Sequence, residues 1–157
     1  MTFSEARPEE FYMANHLFDD THIQWQTIAG FEHLHYYILN IDEANTIIDV
    51  LFKFAARQQI VLHRHKALNH TFVIQGEHRL YRPDGAIKEV RTVGSYTVSQ
   101  PSDEPHREGG GEADAIVFFS IRGSEGVLYE ILDDDLNITA TLSTQDFVNL
   151  YQNQTDL

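Results

Sequence analysis

From Thr21 onward, hydrophobic and polar residues alternate in short bursts instead of recurring at helical spacing. The bursts are THIQWQTI, HLHYYILNI, TIIDVLFKF, IVLHRH, HTFVIQG, EHRLY, IKEVRTV, SYTVSQ, AIVFFSIRG, GVLYEIL and LNITATL. Successive strand side chains point to opposite faces, so this pattern predicts many short strands, and their spacing predicts a sandwich or barrel. Pro83-Asp84-Gly85 is a hairpin signal, and Asp42 to Asn45 parts two β-branched runs, so antiparallel connections are expected. One segment differs. In STQDFVNLYQ, Ser143 and Asp146 stand at capping-box spacing ahead of Phe147, Leu150 and Tyr151 on one helical face, which predicts a short C-terminal helix packed on the sandwich.

The rest of the chain adds punctuation. The glycine-rich EGGGEADA that ends at Ala115 lacks the residues of a phosphate loop and reads as a flexible loop or lid. With 157 residues and no internal repeat, the expected organisation is an N-terminal arm over 1–19 and a single domain over 20–157.

Composition narrows the chemistry. The chain has no cysteine, so disulfides, thiolate metal sites and a thiol nucleophile are excluded, and any metal must be held by His, Asp or Glu. A formal charge of −13 disfavours nucleic acid and anionic membranes as partners. No apolar run reaches the roughly 20 residues of a membrane span, and MTFSEARPEEFYM lacks the pattern of a secretory signal, so a soluble cytoplasmic protein is expected.

Four of the nine histidines, His63, His65, His70 and His78, crowd into LHRHKALNHTFVIQGEHRLY. On a strand, His63 and His65 share a face while Arg64 points away, which suits a chelated divalent ion if a second segment adds a ligand. GSYTVSQPSDEPHREGG, about forty residues on, offers His106. His70 is open between a fourth ligand, a substrate-side group and a core residue, while His78 reads as an outward-facing hairpin position. The second pair, His33 and His35, has no partner segment and reads as solvated. Tyr96 and Gln100, ahead of His106, are pocket candidates, whereas Glu104 is more readily a solvated loop residue than a base.

HRH followed by Gly76, then Gly94, Pro101 and His106 five residues beyond that proline, resembles the paired motifs of the cupin superfamily. The resemblance implies a jelly-roll β-barrel, with His63, His65 and His106 as metal ligands and Gly76, Gly94 and Pro101 as the turns that aim the strands. The glutamate ligand usual in the first motif falls at Asn69 or His70, so no acid stands there. In this the chain is similar to the three-histidine 2,4'-dihydroxyacetophenone and acetylacetone-cleaving dioxygenases, although six residues before the last histidine it carries Gln100 where those have an acid.

That likeness implies one divalent metal per chain, Fe(II) foremost with Zn(II), Ni(II) or Mn(II) as alternatives. It also implies O₂ and a small β-diketone or hydroxyketone as substrates, an enolate supplying the charge that an all-histidine shell lacks, and a homodimer or larger homo-oligomer. An O₂-independent lyase or isomerase and a non-catalytic ligand-binding cupin are the competing readings.

Overall fold

The computed structural model describes residues 18–123 and 126–155. The expected arm therefore lies, over residues 1–17, outside the described residues. Among the described residues the strands in chain order are β1 (Leu34–Asp42), β2 (Ile47–Phe54), β3 (His63–His65), β4 (Leu68–Gln75), β5 (His78–Tyr81), β6 (Ile87–Arg91), β7 (Tyr96–Ser99), β8 (Arg107–Gly110), β9 (Ala115–Arg122), β10 (Val127–Leu132) and β11 (Ile138–Ser143), followed by helix α1 (Thr144–Thr155). They form a five-stranded sheet in the order β1-β2-β9-β4-β7 and two three-stranded sheets, β11-β10-β3 and β6-β5-β8. Every strand pairing is antiparallel, as the short turns require.

The sheets do not close into one continuous hydrogen-bonded barrel. They are tied instead by isolated bridges, notably His63 with His106 and Ala56 with Gly110. Inward-facing residues of the strands and the helix form one core, in which Phe52, Phe54 and Phe119 meet edge-on or tilted, the Phe52 and Phe119 rings standing 5.0 Å apart at 87°. Such edge-to-face contacts add to the area these rings bury.

The C-terminal helix forms as its capping signal predicts. Ser143 Oγ accepts from the Asp146 amide at 3.2 Å, and Asp146 Oδ2 accepts in return from the Ser143 amide at 2.7 Å. Phe147 and Val148 are buried against the sheets. At the far end Gln154 works as a missing strand: its Oε1 accepts from the Ile38 amide at 2.9 Å and its Nε2 donates to the Ile38 carbonyl at 2.7 Å. This satisfies the backbone of edge strand β1 beside the register shift between Ile38 and Asn40.

Two expectations fail. THIQWQTI is not a strand: only Gln26 pairs, with Tyr36, and Trp25 instead donates to Asp20, which also binds Lys53 at 2.9 Å. The stretch that reads as a loop or lid begins inside a strand, since Glu108, Gly109 and Gly110 are buried in β8 and paired with β5. The glycines there serve close approach, because a Cβ on Gly109 would stand 1.8 Å from the Gln58 carbonyl oxygen.

That contact fixes how deeply β8 sits, and hence where Glu108 points. Gly109→Ala is expected to lower stability by about 1–3 kcal/mol or more, from overpacking against backbone that cannot yield. Urea unfolding of the variant against the parent chain measures it; an unchanged midpoint would show that the Gln58 segment moves freely.

Candidate metal centre

β3 is only three residues long, but both of its outer residues face inward: His63 and His65 are buried and Arg64 is half-buried. The strand is held on both sides. β10 pairs with it, Tyr129 opposite His65 and Ile131 opposite His63, and His63 and His106 exchange both backbone hydrogen bonds at 3.0 Å. This reciprocal bridge sets His106 beside the other two rings, and β8 begins at the next residue, carrying Glu108 inward two positions beyond His106.

The four side chains converge. His63 Nε2 lies 3.0 Å from His65 Nε2, and His65 Nε2 lies 3.0 Å from His106 Nε2. Glu108 Oε2 stands 2.7, 3.1 and 3.4 Å from the Nε2 atoms of His63, His65 and His106. One candidate ligand atom from each residue fits within 4.8 Å of all the others. Two ligands at right angles on one ion, each at roughly 2.1 Å, stand about 3.0 Å apart, so the nitrogen spacing fits a single centre.

Tautomers argue the same way. His63 Nδ1 lies 2.7 Å from the Val61 carbonyl, which accepts only, so Nδ1 carries a proton and the ring is oriented with Nε2 toward Glu108 Oε2. Nε2 of His63, unlike Nδ1, is thus turned into the group and available to a metal. Burial holds His65 down to about 4 against the opposing pull of Glu108, and burial likewise lowers His106. Burial alone would raise Glu108, but the charge of His65 and hydrogen bonds from the histidines outweigh it and keep the carboxyl well below its usual range. Imidazoles that burial disposes toward the neutral form, as at His65 and His106, beside one ionised carboxylate are a donor set that suits a divalent metal.

Glu108 is itself anchored. Its Oε1 accepts from His78 Nε2 at 2.7 Å, and His78 is fully buried, stacked on Phe54 with centroids 5.0 Å apart. His78 thus belongs to the group's support and not to an outward-facing hairpin; β5 places it opposite Gly110, one strand from Glu108. Asn69, one of the two positions at which the usual glutamate falls, is buried and its Nδ2 lies 3.1 Å from both His65 Nδ1 and the Ala67 carbonyl. The residue that sequence reasoning missed is Glu108. Its signal was available, since His106-Arg107-Glu108 repeats the two-residue period of His63-Arg64-His65.

The other candidates separate by strand parity. On β4, Asn69 and Thr71 face inward, so His70 faces out and its Nδ1 meets the Tyr96 hydroxyl at 2.5 Å; neither His70 nor Tyr96 joins the group. Gln100 and Glu104 line a polar cavity of about 120 Å³ against His65, His106 and Glu108, with Glu104 paired to Lys88 at 2.7 Å. Gly76 and Gly94 occupy turns at positive φ, +72° and +86°, and Pro101 follows β7. His35 lies exposed on β1. On the other side, His63 and Glu108 border an apolar chamber walled by Phe52, Phe119, Ile131 and Phe147, together with Tyr129. The four-residue group is therefore a partition between a polar and an apolar space.

Strand order, motif turns and this buried centre define a protein with the cupin fold that carries a potential metal site of three histidines and one glutamate. No family model matches the chain, and no curated protein matches it in sequence. Among solved structures it is similar to an RmlC-like cupin protein from Ralstonia eutropha, 21% identical, with a TM-score of 0.68 over 84% of this chain and 81% of that one. It is also similar to an acetylacetone dioxygenase from Acinetobacter johnsonii, 12% identical, TM-score 0.67, over 88% and 89%. A third likeness is to the DMSP lyase DddQ from Ruegeria pomeroyi, 17% identical, TM-score 0.52, over 69% and 60%. No helix among the described residues is long and apolar enough to cross a membrane.

Two outcomes follow from the group. Replacing His78 by Leu is expected to weaken Zn(II) binding about ten- to a hundredfold, because Glu108 loses the bond that aims it; calorimetric titration reads this, and unchanged affinity would remove His78 from the centre. The metal-free protein should lose stability as pH falls from about 6.5 toward 4. Over that range the unfolded chain protonates histidines that burial keeps neutral in the fold, so the unfolded state binds more protons; His65 contributes about 3 kcal/mol at most. Urea unfolding at pH 7 and pH 5 tests the sign.

Proposed function

We propose that the protein is a mononuclear non-haem iron dioxygenase that cleaves a carbon–carbon bond of a small β-diketone or hydroxyketone. The observation that carries this reading is the buried His63, His65, His106 and Glu108 group at the border of an apolar space, supported by the fold's likeness to the acetylacetone dioxygenase. Ferrous iron held by these four residues would supply the O₂ chemistry and the Lewis acidity that enolises a ketone.

The chain's own residues supply the rest. His63, His65 and His106 offer imidazole nitrogens, and Glu108 offers a charge that His78 holds in place. An all-histidine shell would leave charge compensation wholly to the substrate enolate; with Glu108 present, part of it is built in. Gln100, which lines the polar side, would donate to a substrate oxygen, while the Phe-lined side would exclude water. His70 and Tyr96 lie outside this arrangement. The exposed Phe72, Tyr96 and Val98 on β4 and edge strand β7 favour a homo-oligomer joined through that face.

The likeness to a lyase favours a second reading, in which a divalent ion held by the same four residues would act only as a Lewis acid in an O₂-independent lyase or isomerase. Anaerobic loading with Fe(II), followed by O₂ uptake with β-diketones and hydroxyacetophenones, separates the two. Substrate-dependent uptake is expected, and it should fall at least a hundredfold in His106→Ala. Substrate turnover with no O₂ consumed would replace the dioxygenase by the lyase or isomerase.

A further inference from the structure

We infer that Arg91 determines which ligands the polar cavity takes: its guanidinium receives a carboxylate carried by the substrate, so that the ketone meeting the metal centre is a small keto acid. This deepens the proposed function and rests on it for the ketone.

Arg91 belongs to the wall that carries the centre. Across the β5–β6 ladder it stands directly opposite His78, and opposed residues share a face, so it projects on the side where His78 holds Glu108. With His65, His106 and Glu108 it lines the polar cavity, whose surface exposes polar atoms, unlike that of the apolar chamber. The guanidinium there is only partly used. Nη2 pairs with Glu89 at 3.0 Å, Nη1 reaches the Thr71 hydroxyl only at 3.5 Å, and Nε is buried with no hydrogen-bond partner. Arginine keeps its charge at every accessible pH and offers five donors in a planar fork that matches a carboxylate. A buried cation with most of that fork open calls for a further acceptor.

The acids nearby do not close the site. The Arg91 side chain is 11% exposed and that of Glu89 45%, so the cation lies deeper than its partner, and Lys88 likewise lies deeper than Glu104. Pairs with one solvated member are weak, so a ligand carboxylate displaces Glu89 from the guanidinium at small cost. With a divalent ion at the centre, Lys88, Arg91 and the ion outweigh Glu89, Glu104 and Glu108 by one positive charge, and these are all the charged side chains lining the cavity. A cavity that joins a metal centre to an open, buried guanidinium suits one ligand with two oxygen-bearing ends: ketone oxygen at the centre, carboxylate on Arg91.

The test uses the full chain loaded with Zn(II), which chelates β-diketones without consuming O₂. The probes are 2,4-dioxopentanoate, with its carboxylate directly on the diketone, and 4,6-dioxoheptanoate, with its carboxylate set apart by two methylenes, each beside its methyl ester. Calorimetry follows their binding to the parent protein, to Arg91→Gln and to Glu89→Gln. In the parent, at least one acid is expected to bind at least tenfold more tightly than its ester, and in Arg91→Gln that ratio is expected to fall to within about twofold of unity. Glu89→Gln frees the guanidinium and is expected to tighten the acid several-fold, a gain that impaired folding does not produce. Acids binding no better than their esters, a ratio unchanged in Arg91→Gln, Glu89→Gln binding the acid no more tightly, or no binding of any probe would overturn the site. The parent ratio and Glu89→Gln decide the matter even if Arg91→Gln does not fold. Failure of the dioxygenase reading looks different: the preference for the acid and its dependence on Arg91 would persist with Zn(II), while the Fe(II) protein took up no O₂.

Discussion

The buried carboxylate of Glu108 is the constraint on which the site depends. An ionised acid at 3% exposure is tolerated only with partners on both oxygens: His78 meets Oε1, and three histidine nitrogens crowd Oε2. The partners come from separate parts of the chain. His78 rides on β5, His63 and His65 on β3, and Glu108 on β8, and each strand is positioned by a different neighbour. Gly109 lets β8 press against the Gln58 backbone, and the His63 and His106 bridge joins two sheets that share no longer ladder. Stability and site geometry are thus coupled through the same few contacts.

The centre also divides space. His65 and His106 face the polar cavity, His63 faces the apolar chamber, and Glu108 borders both. A ligand reaching an ion held there would meet solvated, charged groups on one side, with Lys88 and Glu104 paired to each other and Glu89 paired with Arg91, and Phe side chains on the other. The two sides of the group thus differ in polarity, which is a property of the strands that carry them.

Most of the strands and both halves of the histidine motif were legible in the sequence, because alternation over five or more residues reports a face directly, and HRH on a strand can present both imidazoles only one way. What was illegible has definite causes. REGG lacks the β-branched and aromatic residues that mark a strand, since its glycines are chosen for close backbone approach, so β8 reads as a loop and Glu108 is hidden within it. His78 begins a four-residue strand, too short for its own pattern to report a face, and its burial is set by pairing with Gly110. His70 is the opposite case: it lies one position from Asn69, and parity decides its fate once the register of β4 against β9 is known.

The displaced acid has an electrostatic logic. With Asn69 at the first motif's usual glutamate position, the region beside His65 holds a neutral amide, and the group's single negative charge enters from the second motif, two residues after His106. Asn69 meets Nδ1 of His65 while Glu108 meets Nε2 of the same ring, so the amide and the carboxylate flank that imidazole from its two nitrogens. The charge left at Glu108 offsets half that of a divalent ion, so a monoanionic oxygen ligand brings the assembly to neutrality within a low-dielectric interior. A divalent ion bound there would therefore favour an anionic oxygen ligand over a neutral one.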